Sequence, residues 1–211
     1  PLAADPAFHL RPSAADVARV RQQMALPERF LVAVATLEPR KNLVRLIAAF
    51  ERIHPRHPDV RLLLVGGRGW RDEAIRAALE GSSARAAIEA TGYVEFDDLR
   101  VLYSEALALC YPSLYEGFGL PVVEAMAAGT PVLTSRGSSL DEAAGGAALL
   151  IDALDVGQIA DGLERLVSDA DLRDDLRQRG LGRAAELSWQ RTAERTRVVF
   201  ENVAAGRSPQ P

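Results

Sequence analysis

The 211 residues are 48% hydrophobic and 26% charged, which excludes a disordered or fibrous chain and suffices for one compact domain. The formal net charge of −4 has the wrong sign for general nucleic-acid binding, which needs a clustered positive surface. No apolar run approaches the roughly 20 residues that span a bilayer, and the first residues lack a signal-peptide pattern, so we expect a cytoplasmic domain.

The first 12 residues are proline-rich and aperiodic, which predicts an unstructured connector that enters a folded domain. A helix is predicted from its Ser13 cap through Met24, because Val17, Val20 and Met24 repeat at helical spacing. The single cysteine, Cys110, lies in an apolar run and is expected to be a buried hydrophobic residue without a functional thiol.

Short apolar segments then alternate with amphipathic ones. The predicted strands are Phe30 to Ala35, Val60 to Val65, Ala87 to Thr91, Ala106 to Tyr111, Pro131 to Thr134 and Ala147 to Ile151. The predicted helices between them are Leu43 to Ile53, Arg71 to Leu79, Leu99 to Glu105, Pro121 to Ala128 and Leu140 to Ala144. Strands without polar alternation, separated by helices, indicate an α/β domain with a doubly wound, mostly parallel, Rossmann-like sheet over residues 13–187.

The pattern after Asp155 is purely helical and predicts a helical C-terminal extension. Its last helix, over residues 188–205, either packs against the sheet or reaches across to a partner domain, and residues 206–211 form a tail.

Ligands of open α/β sheets bind beyond the carboxyl ends of the strands, so we expect functional residues in the loops that follow the strands. After the first strand, Arg40 and Lys41 stand at the start of a helix, where two positive charges and free N–H groups suit a phosphate. After the second strand, three glycines at 66, 67 and 69 favour turn geometry over a dinucleotide fingerprint, with Gly67 the candidate phosphate or sugar contact. Gly92, Tyr93 and Val94 follow the third strand, where backbone and apolar groups can frame a nucleobase.

The loop after the fourth strand carries the most specific pattern, EGFGLPVVE over residues 116–124. Glu116 lies in a glycine-containing loop, and the N–H groups of Phe118, Gly119 and Leu120 are expected at the amino end of the next helix, where a pyrophosphate is favoured. Glu124, about one turn into that helix, is placed to accept hydrogen bonds from ribose hydroxyls. Two glutamates around a phosphate cradle fit a ligand with hydroxyls at both ends and negative charge between them.

This segment resembles the paired-glutamate motif of family 4 (group 1) retaining glycosyltransferases, which have the two-domain GT-B fold. The similarity extends through residues 111–127, LEPRKN at 37–42, GYV at 92–94 and SSL at 138–140 followed by Glu142, and it covers residues 1–199. The bacterial O-antigen and polysaccharide mannosyltransferases are the most similar branch. One departure is Thr36, where many relatives carry an arginine, and Arg40 is the residue available to replace it.

The resemblance implies a carboxy-terminal donor-binding domain. Glu116 would contact the donor sugar, Arg40 and Lys41 would neutralise the leaving diphosphate, and the N–H groups of residues 118–120 would hold phosphate and sugar oxygens. Glu124 would bind the ribose, and Tyr93 with Val94 would frame the base. It also implies retention of anomeric configuration without a cofactor or catalytic metal, and the three histidines form no ligand cluster in the sequence.

The partners implied are a nucleotide-sugar donor and a glycan or lipid-linked acceptor bound by an N-terminal domain that this chain lacks. The helix over residues 188–205 would cross toward that domain, the isolated chain would be inactive, and the full enzyme would be cytoplasmic, with peripheral association at the inner membrane face compatible with the resemblance. GDP-mannose is the favoured donor, with UDP- and dTDP-sugars open. The alternatives are a noncatalytic nucleotide-binding module, a nicotinamide-dependent oxidoreductase, and a GT-B epimerase or phosphorylase.

Overall fold

The structure, a computed structural model, describes residues 2–207, so the predicted tail beyond residue 207 lies outside the described residues. The strands are β1 (Arg29–Val34), β2 (Val60–Val65), β3 (Ile88–Gly92), β4 (Ala108–Tyr111), β5 (Val132–Ser135) and β6 (Leu149–Ile151). The helices are α1 (Ala14–Gln23), α2 (Leu43–Ile53), α3 (Glu73–Glu80), α4 (Phe96–Glu105), α5 (Leu120–Ala127), α6 (Ser139–Ala144), α7 (Val156–Ser168), α8 (Ala170–Glu186) and α9 (Trp189–Ala204).

The strands form one parallel sheet in the order β3-β2-β1-β4-β5-β6. The chain winds outward from β1 to β3, returns to place β4 beside β1, and then winds outward in the other direction. This order confirms the doubly wound, Rossmann-like fold. The direction of winding reverses between β1 and β4, so the helices that follow these two strands, α2 and α5, lie on opposite faces and leave a crevice at the carboxyl edge of the sheet.

The core lies on both faces of the sheet, because alternate residues of each strand point to opposite sides. In β1, Leu31 and Ala33 pack on the face covered by α2 and α7, whereas Phe30 and Val32 pack on the face covered by α5. Cys110 in β4 is buried, and burial raises the pKa of its thiol, as expected for a cysteine that acts as a small hydrophobic residue.

Several expectations about the elements need correction, among them the start of α4, which is Phe96 and not Leu99, and the start of β6, which is Leu149 and not Ala147. The connector is structured, since Pro6–His9 form a 3₁₀ turn capped by Asp5 and Phe8 is buried against Tyr103 and Phe96. Helix α3 begins at Glu73 and not at Arg71, because Arg71 has a left-handed φ of 56° that no helical residue adopts. Strand β4 begins two residues later than predicted, because the N–H of Ala106 still caps α4.

Helix α9 is capped by Ser188. It does not pack against the sheet, which was one of its two predicted placements, because none of its side chains is buried within the described part of the chain. Its apolar residues Trp189, Val198, Phe200 and Val203 are exposed. No helix among residues 2–207 is long and apolar enough to cross a membrane.

Candidate functional site

The crevice between β1 and β4 brings Arg40 and Lys41 from one loop against Glu116 from the other. Lys41 Nζ lies 2.6 Å from Glu116 Oε1, and Arg40 Nη1 lies 2.6 Å from Glu116 Oε2. Both residues of the Lys41–Glu116 pair are about 92% buried, whereas the Arg40 side chain is 45% exposed. The three residues predicted to be catalytic are therefore in direct contact, although 75 residues of chain separate Lys41 from Glu116.

Backbone contacts hold the two loops together. The N–H of Leu114 donates to the Arg40 carbonyl at 2.8 Å, and the Asn42 amide donates to the carbonyls of Pro112 and Ala153. Asn42 also has a left-handed φ of 60°, a conformation that asparagine tolerates better than most residues, and this bend directs the chain from the Arg40–Lys41 turn into α2. The cations are thus fixed by buried side-chain and main-chain hydrogen bonds.

Tyr111, the last residue of β4, adds a hydroxyl to the pair. Lys41 Nζ donates to the Tyr111 hydroxyl at 2.6 Å, and that hydroxyl donates to Glu116 Oε1 at 2.8 Å. Burial alone would raise the pKa of the Glu116 carboxyl, but the hydrogen bonds from Lys41 and Tyr111 outweigh it and leave this pKa below its usual value. Glu116 is therefore ionised at neutral pH, and its stabilising contribution is lost as pH falls through the lowered pKa.

The amino end of α5 faces the same crevice. Within residues 2–207 the N–H groups of Phe118, Gly119 and Leu120 donate to no acceptor. Gly119 has a φ of 98°, and a Cβ there would lie 2.4 Å from a Leu140 methyl carbon, so this turn requires glycine. Helix α5 begins at Leu120, one residue before the predicted Pro121. Three free donors and a helix dipole favour an anion.

A cavity of about 460 Å³ occupies the crevice, within the usual size of small-ligand sites. Of the predicted site residues, its lining includes Gly67, Lys41, Glu116, Phe118, Gly119, Leu120, Tyr93 and Val94, and also Tyr111 and Thr36. Arg40, Gly92 and Glu124 lie outside the lining. The Gly92 carbonyl accepts from the N–H of Gly66 at 2.8 Å, so this group joins the loops after β2 and β3.

The glycines after β2 have different surroundings. A Cβ at Gly66 would lie 2.1 Å from the Ala35 carbonyl oxygen, and one at Gly69 would lie 2.7 Å from the Leu37 carbonyl oxygen, so both permit close approach of the loop after β1. A Cβ at Gly67 would meet no atom within 4 Å, and Gly67 lines the cavity.

These glycines make a matched pair for mutation. Gly66→Ala is expected to cost about 3 kcal/mol of stability, since it forces apart two backbone segments at a φ of 144°. Gly67→Ala is expected to change stability by less than about 1 kcal/mol but to weaken pyrophosphate binding. Urea unfolding and calorimetry of both variants test this, and equal stability losses would contradict it.

Glu124 lies on α5 beside Tyr103, whose hydroxyl donates to Glu124 Oε2 at 3.3 Å. Burial raises the pKa of the Glu124 carboxyl, and the Asp5 carboxylate raises it further. The hydrogen bond from Tyr103 lowers this pKa but does not offset the rise. The two glutamates of the motif therefore differ: the pKa of Glu116 is lowered and that of Glu124 is raised. The ribose contact predicted for Glu124 stays a prediction.

The raised pKa of Glu124 predicts that removing its charge stabilises the fold but weakens ligand binding. A carboxyl whose pKa is higher in the folded state costs stability when ionised; the cost is absent below its usual value of 4.5 and complete above the raised pKa. Glu124→Gln should thus raise Tm at pH 7 by about 2 °C and leave it unchanged at pH 4, while weakening nucleoside binding. Thermal melts at both pH values test this, and a lower Tm at pH 7 would contradict it.

Among residues 2–207 no group of three or more His, Cys, Asp or Glu side chains is arranged to hold a metal ion. Metal independence is a property of the transfer reaction, so it stays a prediction until transfer is measured.

Comparison with known proteins decides the family. Residues 16–183 match the family described as glycosyl transferases group 1. The chain belongs to this glycosyltransferase family. It is 37% identical over 169 residues to the O-antigen chain mannosyltransferase B of Escherichia coli, covering 79% of this chain and 44% of that protein. It is 32% identical over 185 residues to the serotype-specific mannosyltransferase WbdA of Escherichia coli, covering 86% of this chain and 23% of the relative.

Solved structures support the same placement of this glycosyltransferase chain. Sucrose-phosphate synthase from Thermosynechococcus elongatus superposes with a TM-score of 0.79 at 29% identity, covering 98% of this chain and 52% of that one. The expected fold, a Rossmann-like domain of GT-B enzymes, is confirmed. This chain spans about half the length or less of these relatives.

Tyr111 and Glu38 are two further residues of the site, and the sequence alone predicted no role for either. Glu38 is buried, and its Oε1 lies 2.6 Å from Arg40 Nη2, so it holds that guanidinium from the side away from Glu116. A signal for this site was present in the composition: Lys41 is the only lysine among 25 basic lysine and arginine residues. A chain that uses arginine everywhere else retains a compact ammonium at this buried position.

Proposed function

We propose that this chain is the donor-binding half of a retaining, metal-independent glycosyltransferase. It would transfer mannose from GDP-mannose to a polysaccharide or lipid-linked glycan. One observation carries the proposal: Lys41, Arg40 and Glu116 meet at the switch point of the sheet, beside the free N–H groups at the start of α5. The mannosyl donor is favoured by the names of the two Escherichia coli relatives.

The arrangement suits a donor with a sugar, a diphosphate and a nucleoside in sequence. The free N–H groups of residues 118–120 and the Lys41 ammonium would hold the diphosphate, and they would stabilise the negative charge that grows on it as the glycosidic bond breaks. Arg40 would add a second positive charge from the rim. Glu116 would accept hydrogen bonds from sugar hydroxyls, while Tyr93 and Val94 would frame the base.

The acceptor would be bound by the part of the enzyme that this chain does not contain. Large apolar side chains are exposed on the loops at the carboxyl edge of the sheet, among them Trp70, Tyr93 and Tyr115, and others are exposed on α9. An N-terminal domain that closes over the donor and contacts α9 would cover the exposed apolar surface at both places. Without that domain the cavity is open to water, so we expect the isolated chain to bind nucleotide weakly and to transfer no sugar.

Thermal shift measurements with GDP, UDP, dTDP and NAD at equal concentrations test the proposal. A ligand at 100 times its Kd adds about 2.7 kcal/mol of stability, so the correct base should raise Tm most. We expect the largest shift with GDP, and the same shift in the presence of EDTA. A largest shift with NAD would favour an oxidoreductase, and a larger shift with UDP or dTDP would replace the proposed donor. Absence of any shift would contradict a donor site.

A further inference from the structure

The hydroxyl of Tyr111 is the one group that contacts both members of the buried Lys41–Glu116 pair within the described residues. Tyr111 itself is 98% buried, and its ring lies 4.9 Å from Lys41 Nζ, so the ammonium contacts both the ring and the hydroxyl. Lys41 donates to the hydroxyl, which leaves the phenolic proton free to be donated to Glu116. The hydrogen-bond directions are therefore fixed by the chemistry of the three groups.

We propose that Tyr111 is a positioning residue of the donor site, which holds the Lys41 ammonium and the Glu116 carboxylate in fixed relative positions through one hydroxyl. The position of Tyr111 in the sheet supports this role. The hydroxyl belongs to a residue at the end of a central strand, with Leu109, Cys110 and Tyr111 all paired to β5, so it is fixed by the sheet and not by either loop. Lys41 and Glu116 therefore share one anchored partner at the place where a diphosphate and a sugar would bind.

The polar and charged groups around Glu116 determine what loss of the hydroxyl does. They are Arg40 on one carboxylate oxygen, Lys41 and the Tyr111 hydroxyl on the other, Glu38 behind Arg40, and the nearby Ser113 hydroxyl, which also lowers the Glu116 pKa. Burial also raises the pKa of the Tyr111 phenol, so it stays a protonated donor at every pH at which Glu116 titrates. The pKa of Glu116 therefore reports on this hydroxyl without a change in the protonation of Tyr111.

Tyr111→Phe in the 211-residue chain keeps the ring and removes only the hydroxyl. We expect the pKa of Glu116, followed by ¹³C NMR of the glutamate carboxyls, to rise by about one pH unit, because a charged acceptor loses one hydrogen bond. Pyrophosphate affinity should fall about tenfold, because Lys41 loses its anchor. Tyr103→Phe is the matched control, since it removes a buried phenolic hydroxyl that donates to Glu124 and should leave the Glu116 pKa unchanged.

Substituting 3-fluorotyrosine at position 111 tests the same contact without removing it. The more acidic phenol donates more strongly, so the Glu116 pKa should fall, opposite to the effect of Tyr111→Phe. An unchanged Glu116 pKa in both variants, with or without a change in Tm, would show that the hydroxyl does not position Glu116, and would overturn the proposal. The role in transfer rests on the proposed function, whereas the pKa measurement does not, so a chain with the expected pKa changes but no nucleotide binding would contradict only the proposed function.

Discussion

Replacing Glu116 with glutamine is expected to abolish sugar transfer by the full-length enzyme while tightening the binding of pyrophosphate to this chain by about tenfold. In the free protein the Glu116 carboxylate occupies both cations that a diphosphate would need, Lys41 on one oxygen and Arg40 on the other. A diphosphate must therefore displace an internal anion. Glutamine retains the shape and removes the charge, so it releases the cations but no longer aligns the donor sugar.

Calorimetry with pyrophosphate, which carries no sugar, isolates this effect. Glu105→Gln is a matched control, because Glu105 is also paired with an arginine, Arg21, but on α4 away from the cavity. It should change neither binding nor transfer. Weaker pyrophosphate binding by Glu116→Gln would mean that the carboxylate arranges the cations for the ligand instead of competing with it, and full transfer activity would exclude Glu116 from the reaction.

Lys41→Met is expected to weaken nucleoside diphosphate binding about 100-fold, equivalent to about 2.7 kcal/mol. The Lys41 side chain is only 8% exposed, so its ammonium would contact a phosphate with little screening by water. Methionine keeps most of the length of the side chain but leaves Glu116 and the Tyr111 hydroxyl without this partner. Removing one partner of a buried pair also destabilises a protein, by about 3–5 kcal/mol, so urea unfolding must accompany the binding measurement.

Binding of guanosine, which has no phosphate, separates loss of a phosphate contact from general damage to the cavity. Guanosine affinity should be the same for Lys41→Met and the natural chain. Arg45→Met is the matched control for loss of a positive charge on the same segment, because Arg45 donates to Asn42 and does not line the cavity. If Arg45→Met weakened diphosphate binding as much as Lys41→Met, the effect would be a general one of charge.

The alternation of apolar segments and helices was sufficient to predict the sheet. Helix α2 and strand β2 begin and end at the predicted residues, because their boundaries are marked locally by a turn and by an apolar run that only Arg61 interrupts. The same holds for the Ser13 cap of α1. The predicted site loops could be located because the ends of the strands could be read from the alternation, and ligands of such sheets bind beyond the carboxyl ends of the strands.

Other features depend on tertiary contacts that no local pattern contains. The burial of Phe8 comes from packing against Tyr103, which lies almost a hundred residues away, so its segment was predicted to be unstructured. Arg71 gives no local sign of a left-handed backbone. Tyr111 was assigned to a buried strand, and nothing in an apolar run shows that its hydroxyl meets an ammonium from another loop.

The single lysine of the 211 residues lies at the proposed donor site. Apart from the α-amine, an amine-directed reagent has only one target in these residues, and that target is buried between Glu116 and Tyr111. Selective ¹⁵N-lysine labelling therefore gives one side-chain resonance, which reports donor occupancy directly. The same feature makes acylation of Lys41 a footprint of the empty cavity: a bound diphosphate should protect this side chain from modification, while the α-amine still reacts and the arginine side chains remain unlabelled.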